Sequence, residues 1–111
     1  MASNKRKYEF NAKTRKKIIE RDHGMCIFCQ MNYEMKDATW LDLQLDGIMH
    51  YVPRSHQGLG IEKNGALGCH WHHHMLDNDH KGRGKTMKKM FKAYLEGIYP
   101  DWNEDDLTKS K

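Results

Sequence analysis

The sequence predicts a single α+β domain in which two short strands are followed by a helix, with further helices on either side. Three observations predict it. Residues 39–52 include a near-alternating stretch, with Asp42, Gln44 and Asp46 set among Trp40, Leu41, Leu43, Leu45 and Ile48, as in a half-buried strand. Met87, Met90, Phe91, Tyr94, Leu95 and Ile98 recur at i, i+3, i+4, i+7, i+8 and i+11, which draws one apolar stripe along a helix. Two residue pairs of identical x-x spacing, Cys26 with Cys29 and Cys69 with His72, bracket the strand region.

The chain opens on a basic arm, residues 1–10. From Met1 to Gly24, eight basic residues (Lys5, Arg6, Lys7, Lys13, Arg15, Lys16, Lys17, Arg21) stand against three acidic ones (Glu9, Glu20, Asp22), a surplus of five positive charges. Asn11 is suited to cap a helix predicted from Ala12 to Asp22, which Gly24 ends. Only Ile18 and Ile19 give that helix an inner face. It is therefore expected to dock beside the Cys26/Cys29 knuckle and to leave Lys13, Lys16 and Lys17 open to phosphate.

The first strand brings His50 near its end, and Pro53, Gly58 and Gly60 mark a loop running through Ser55 and Gln57 to about Lys63. A second strand is predicted over Gly65 to Cys69 and a helix over His70 to Asn78. Asp77-Asn78-Asp79, with Gly82 and Gly84, breaks that helix. The striped helix follows, with Lys85, Lys88, Lys89 and Lys92 off its apolar face, and Tyr99-Pro100 stops it. The domain proper spans residues 11–100, and residues 101–111 are read as a short turn or tail.

At 111 residues there is room for one domain with a thin margin of stability, so a metal clip would help it. A mean hydropathy of −0.96 and the lack of any long apolar run exclude a bilayer-spanning helix. No apolar segment follows the charged residues 1–8, so no secretory signal is expected and the chain is read as cytoplasmic. A net charge of +4 favours an acidic partner.

Three cysteines cannot all pair with one another, and Cys-x-x-Cys is too tight for an ordinary structural disulfide. Zinc takes four tetrahedral nitrogen or sulfur ligands, and two ligands on a tight knuckle can both face one ion. Cys26, Cys29, Cys69 and His72 make such a set. His70 and His74 compete for the fourth place, but only His72 repeats the spacing of the first pair. One structural Zn²⁺ per chain is expected.

Cys26-x-x-Cys29, then His50-Tyr51-Val52-Pro53-Arg54-Ser55, then Asn64, then Cys69-x-x-His72-His73 resembles the HNH endonucleases, the ββα-metal or His-Me finger group. The short phage-encoded members are the most similar. The resemblance covers about residues 21–78, roughly half the chain, and the combined order is far more specific than any one piece. It implies a β-hairpin and helix gripping one divalent metal, Mn²⁺, Ni²⁺ or Mg²⁺, at a site separate from the structural zinc.

By that resemblance His50 is the general base that takes a proton from attacking water, for which a neutral imidazole is suited. Asn64 ties the hairpin loop and so orients His50, or binds metal as in some branches. His73 holds the catalytic ion. Asp77, four residues on and on the same helical face, is a candidate second ligand. Arg54, Lys63, Lys81 and Arg83 are candidate phosphate contacts, and His23, His56, His74 and His80 are read as surface or supporting residues.

One position departs from the family pattern. Where an aspartate or histidine ligand commonly precedes the base, this chain has Met49, whose thioether suits hard Mg²⁺ poorly. Asp46 shares the strand face of His50 but lies about 13 Å away along an extended strand, within reach only if the strand bulges. A working site that prefers Mn²⁺ or Ni²⁺ over Mg²⁺ is expected.

The resemblance thus implies a metal-dependent endonuclease acting on DNA, double-stranded by preference, in the cytoplasm of a bacterial host if phage-encoded. A phage packaging or replication protein would then be a candidate partner. The alternative is a zinc-stabilised nucleic-acid-binding module without catalysis, favoured by Met49 and the basic arm. A structural adaptor, using an exposed C-terminal stripe, ranks third.

Overall fold

The computed structural model describes residues 7–78 and 82–108 and is a small α+β domain built on a two-stranded antiparallel sheet. Helix α1 is Ala12–Arg21 and the short helix α2 is Ile27–Gln30. Strands β1 (Leu45–His50) and β2 (Gly65–Cys69) are followed directly by helix α3 (His70–Asp77), and helix α4 (Arg83–Ile98) comes last. Among the described residues, 3₁₀ turns at Arg54–His56, Glu62–Asn64 and Glu104–Leu107 punctuate the connections.

Helix α1 starts as its sequence predicts, with the Thr14 amide donating to Asn11 Oδ1 at 2.8 Å. Gly24, at φ 69°, turns the chain away in the left-handed region. Of the two isoleucines expected inside, Ile18 is fully buried but Ile19 is exposed. The helix packs on β2 and the Glu62–Asn64 turn, while the Gln30 side-chain amide donates to the Asp22 carbonyl at 2.7 Å and links it to the knuckle.

The first strand is shorter than its alternation suggests. Residues 39–44 form turns, and Trp40 and Leu41 are largely exposed. The reason is local hydrogen bonding: the Thr39 amide and hydroxyl both donate to the Asp42 carboxylate at 3.0 Å, and the Asp42 amide donates back to the Thr39 hydroxyl. Such side chains give the backbone partners that compete with a strand ladder.

Leu45 pairs with Cys69 but Gly47 pairs with Gly68, so Asp46 is the extra residue of a β-bulge. Gly47 adopts φ 128°, a conformation that side chains rarely tolerate. The two faces of the hairpin are covered by different helices. Ile48 and Leu67 pack with Ile18 and Phe10 on one face, and Met49, Ala66 and Cys69 join the main core on the other.

That main core is centred on Phe28, Met87, Phe91, Leu95 and Leu107, all fully buried. The α4 stripe therefore faces the chain's own interior, apart from its exposed last member Ile98. Gly82, at φ 80°, precedes α4, and Gly84 lies buried inside it instead of in the break before it. The segment read as a turn or tail forms the turn Glu104–Leu107 and docks: the Leu59 amide donates to the Leu107 carbonyl at 2.8 Å and Gly58 bridges Thr108. No helix among the described residues is long and apolar enough to cross a membrane.

One carboxylate fastens several of these elements. Asp22 is fully buried and accepts from Arg21 Nε at 2.7 Å and Nη2 at 3.0 Å, from the Leu67 amide at 2.9 Å, and from the Tyr94 hydroxyl. Arg21 also donates to the carbonyls of Glu62 and Gly65 at 2.8 and 2.6 Å. Burial opposes the Arg21 charge, but hydrogen bonds and attraction from Asp22 and Tyr99 more than offset it, so its pKa is raised. Asp22→Ala strands a buried guanidinium and an amide, and is expected to cost about 3–5 kcal/mol. Urea unfolding checks this against Lys63→Ala, which removes a pair with the exposed Asp101 carboxylate and should move the midpoint far less.

Candidate active site and metal centre

The strand–helix junction Cys69–His72 organises the site. Cys69 caps α3, its sulfur accepting the His72 amide at 3.4 Å, and this turns the His72 ring back toward the sulfurs of Cys26 and Cys29. His72 Nδ1 lies 3.6 Å from Cys26 Sγ, 3.6 Å from Cys29 Sγ and 3.2 Å from Cys69 Sγ, and the Cys29 and Cys69 sulfurs are 3.7 Å apart. Zinc–sulfur bonds of about 2.3 Å and zinc–nitrogen bonds of about 2.0–2.1 Å give tetrahedral edges of roughly 3.6–3.8 Å. Of these four distances, out of a tetrahedron's six edges, three fall in that range and the fourth is shorter.

His72 Nε2 lies 2.6 Å from the Tyr33 carbonyl. A carbonyl only accepts, so Nε2 carries the ring proton and Nδ1 presents its lone pair to the sulfurs, the usual outer support of a metal-bound histidine. The thiol chemistry fits a cation as well. Hydrogen bonding to Cys26, then to His72, holds Cys69 down at about 4, and that same contact with burial pushes Cys26 up. Burial and the Cys69 charge push Cys29 up to about 11. Ionising one sulfur makes its close neighbours harder to ionise, and a dication would offset that repulsion. Cys26, Cys29, Cys69 and His72 could hold a metal ion such as zinc. The rivals His70 and His74 are exposed and stack on each other at 6.2 Å.

Beside this cluster lies a cleft of about 410 Å³ lined by His50, Arg54, Ser55, His73, Asp77 and Lys88, among others. Asn64 shapes its rim. Fully buried, it accepts the Val52 amide at 2.8 Å and donates to the carbonyls of Val52 at 3.1 Å and Leu59 at 2.8 Å. Its amide is spent on closing the hairpin loop, which separates the two roles left open by its sequence: here it ties the loop.

His50, at the end of β1, places Nε2 2.8 Å from the Tyr8 carbonyl and packs its ring on Phe10 with centroids 4.4 Å apart. Gly65 makes this possible, because a Cβ there would stand 2.6 Å from the Phe10 ring. The Tyr8 carbonyl assigns the proton to Nε2, leaving Nδ1 as an acceptor. Burial lowers the His50 pKa below its ordinary value, and the nearby Arg54 and His73 add to this.

His73 and Asp77 share one face of α3, with His73 Nε2 3.4 Å from Asp77 Oδ2. On the other side of the ring, Nδ1 lies 3.0 Å from Asp46 Oδ2; the bulge brings Asp46 to His73, but Asp46 does not line the cleft with His50. Met49 is fully buried in the main core, its sulfur and Cγ filling the space over Gly68, and offers nothing to the cleft.

The candidate phosphate contacts divide. Arg54 lines the cleft, its exposed guanidinium 3.7 Å from Glu9. Lys63 instead pairs with Asp101 at 2.9 Å over the Tyr99 ring, and Arg83 pairs with Glu34 at 3.4 Å; neither lines the cleft. Lys81 and His80 lie outside the described residues. Lys88 is the cation that the sequence reading missed. It flanks the α4 stripe next to Met87, sits 4.4 Å over the Tyr51 ring, and has its pKa lowered by burial. Ser55 and the Tyr8 carbonyl were missed too, and a lone serine or a backbone group carries no sequence signal.

No family model, curated protein or solved structure matches this chain.

Protein purified without chelator is expected to carry about one zinc per chain that survives dialysis, measured by elemental analysis. Cys69→Ser should lose that zinc and unfold at lower temperature. Retained zinc with an unchanged midpoint would count against the four-residue centre.

Proposed function

We propose that this chain is a metal-dependent DNA endonuclease of the HNH, ββα-metal type, hydrolysing phosphodiester bonds with His50 as general base. The observation that carries the reading is the setting of His50: its Nε2 lies 2.8 Å from the Tyr8 carbonyl and its ring lines a cleft with His73, Asp77, Arg54 and Lys88. A single half-buried histidine is weak evidence by itself. The same cleft also gathers two cations for phosphate and an imidazole–carboxylate pair for a metal.

In this reading His50 Nδ1 takes a proton from water as its oxygen bonds to phosphorus. The P–O bond to the leaving oxygen breaks, and that oxygen takes a proton from solvent. Arg54 and Lys88 attract the non-bridging oxygens, while Asn64 holds the loop and so keeps His50 in place. The donor set fits a divalent ion that tolerates nitrogen: His73 Nε2 and Asp77 Oδ2 face each other at 3.4 Å. Such an ion supplies Lewis-acid stabilisation of charge on the scissile phosphate. With Met49 sealed in the core, Mn²⁺ or Ni²⁺ is favoured over Mg²⁺. No helix among the described residues stands apart to read bases, so sequence choice on double-stranded DNA falls to a partner, a phage packaging or replication protein if the chain is phage-encoded.

The burial of Met49 favours a second reading, a zinc-stabilised nucleic-acid-binding module without turnover. Supercoiled-plasmid cleavage with EDTA, Mg²⁺, Mn²⁺ and Ni²⁺ separates the two. Metal-dependent nicked or linear product that His50→Ala does not form supports the nuclease. Salt-sensitive binding with no product under any metal supports the module.

The pH profile tests the base. His50 is active when neutral, so the rate should fall as pH drops through a pKa below the ordinary 6.5 and gain nothing further from His50 above it. A limb centred above pH 7 would assign the titration to another group. Lys88→Ala is expected to slow cleavage at least about tenfold, because a half-buried cation facing the phosphate acts where water is partly excluded.

A further inference from the structure

His73 is flanked by carboxylates on both ring nitrogens, Asp46 at Nδ1 and Asp77 at Nε2. A neutral imidazole has one lone pair, so a cation bound to this ring shares it with only one of them. The two sides differ. Asp77 lines the cleft with His50, whereas Asp46 does not, and Nδ1 is buried from solvent. An ion that must keep positions open for water and phosphate belongs on the Nε2 side.

From this we infer that Asp46 is a positioning residue: its carboxylate, thrown out of the strand by the bulge, takes the Nδ1–H of His73 and turns the Nε2 lone pair toward the cleft. The assignment rests on the nuclease reading for its purpose, but not for its geometry.

Three features support it. Nδ1 is a buried polar atom with no in-line hydrogen-bond partner, although Asp46 Oδ2 stands only 3.0 Å away. A small rotation of the ring or the carboxylate aligns the pair. The bulge that delivers Asp46 depends on Gly47 at φ 128°, so the strand is locally distorted at the one place that brings this carboxylate to His73. Finally, a carboxylate behind a metal-binding imidazole makes it more basic and fixes its orientation. That compensates in part for a site in which the residue before the base is a buried thioether.

The test uses the full-length, zinc-loaded protein. Long-range ¹⁵N–¹H correlation of the histidine rings reads the His73 tautomer directly, and calorimetric titration with Mn²⁺ alone reads the cation site. The wild type should show His73 protonated at Nδ1. Asp46→Ala should shift it toward Nε2–H and weaken Mn²⁺ binding by about 10–100-fold. Asp46→Asn, which keeps an oxygen acceptor in place, should restore the tautomer. A wild-type ring protonated at Nε2, or a tautomer and Mn²⁺ affinity unchanged in Asp46→Ala, would overturn the inference. A wild type that shows the Nδ1–H tautomer and its loss in Asp46→Ala, yet neither binds Mn²⁺ nor cleaves DNA, would sink the nuclease reading and leave Asp46 as the residue that sets the ring.

Discussion

The buried Asp22 carboxylate is the point on which the architecture hangs. It lies at the end of α1, yet its partners come from α1, β2 and α4, and Arg21 extends the network to the turn before β2. A charge removed from water is costly, and a bidentate guanidinium with two further donors is what makes its burial tolerable. Because the network closes only when all these elements are in place, it fixes α1 on one side of the hairpin and α4 on the other. The loop between the strands is then held at both ends. Arg21 binds the carbonyls that flank Asn64, and Asn64 binds the far side of the loop.

From that frame the chemistry of the cleft follows by adjacency. Cys69 and His72 belong to the sulfur–nitrogen cluster, and His73 is the next residue, so the element that gathers the cysteines also aims His73 out of the core. Met49 and His50 show the same economy on β1: one enters the core over Gly68 and the other packs on Phe10 at the cleft. A strand alternates its faces at every residue, and this strand uses the alternation to send Met49 into the core and His50 to the cleft.

Much of this was legible in one dimension. The Asn11 cap of α1, the stripe of α4, the bounds of β2, those of α3 to within a residue, and the Cys/His set depend on spacing and on local backbone preference, which a sequence displays. Residues 39–44 misled because apolar alternation there competes with Thr39–Asp42 hydrogen bonds that stabilise a turn. Arg21–Asp22 carried no warning, since neighbouring opposite charges are common on surfaces and only burial makes this pair different. The cations were the least legible. Lys63 and Arg83 found carboxylates 38 and 49 positions away, and Lys88 was drawn into the cleft by the packing of α4. The bulge at Asp46 is set by register between two strands, which neither strand encodes alone.

The closures that define the molecule span very different lengths of chain. Asn64 reaches back 12 residues to Val52, Cys29 meets Cys69 across 40, and Asp22 meets Tyr94 across 72. Closing a flexible loop costs entropy that rises with the logarithm of its length, so the longest of these is dearer than the shortest by about 1.6 kcal/mol. The hairpin loop with its asparagine latch is therefore the cheapest piece to assemble. On loop closure alone, the rim of the cleft is the part of the site whose assembly asks least of the rest of the chain.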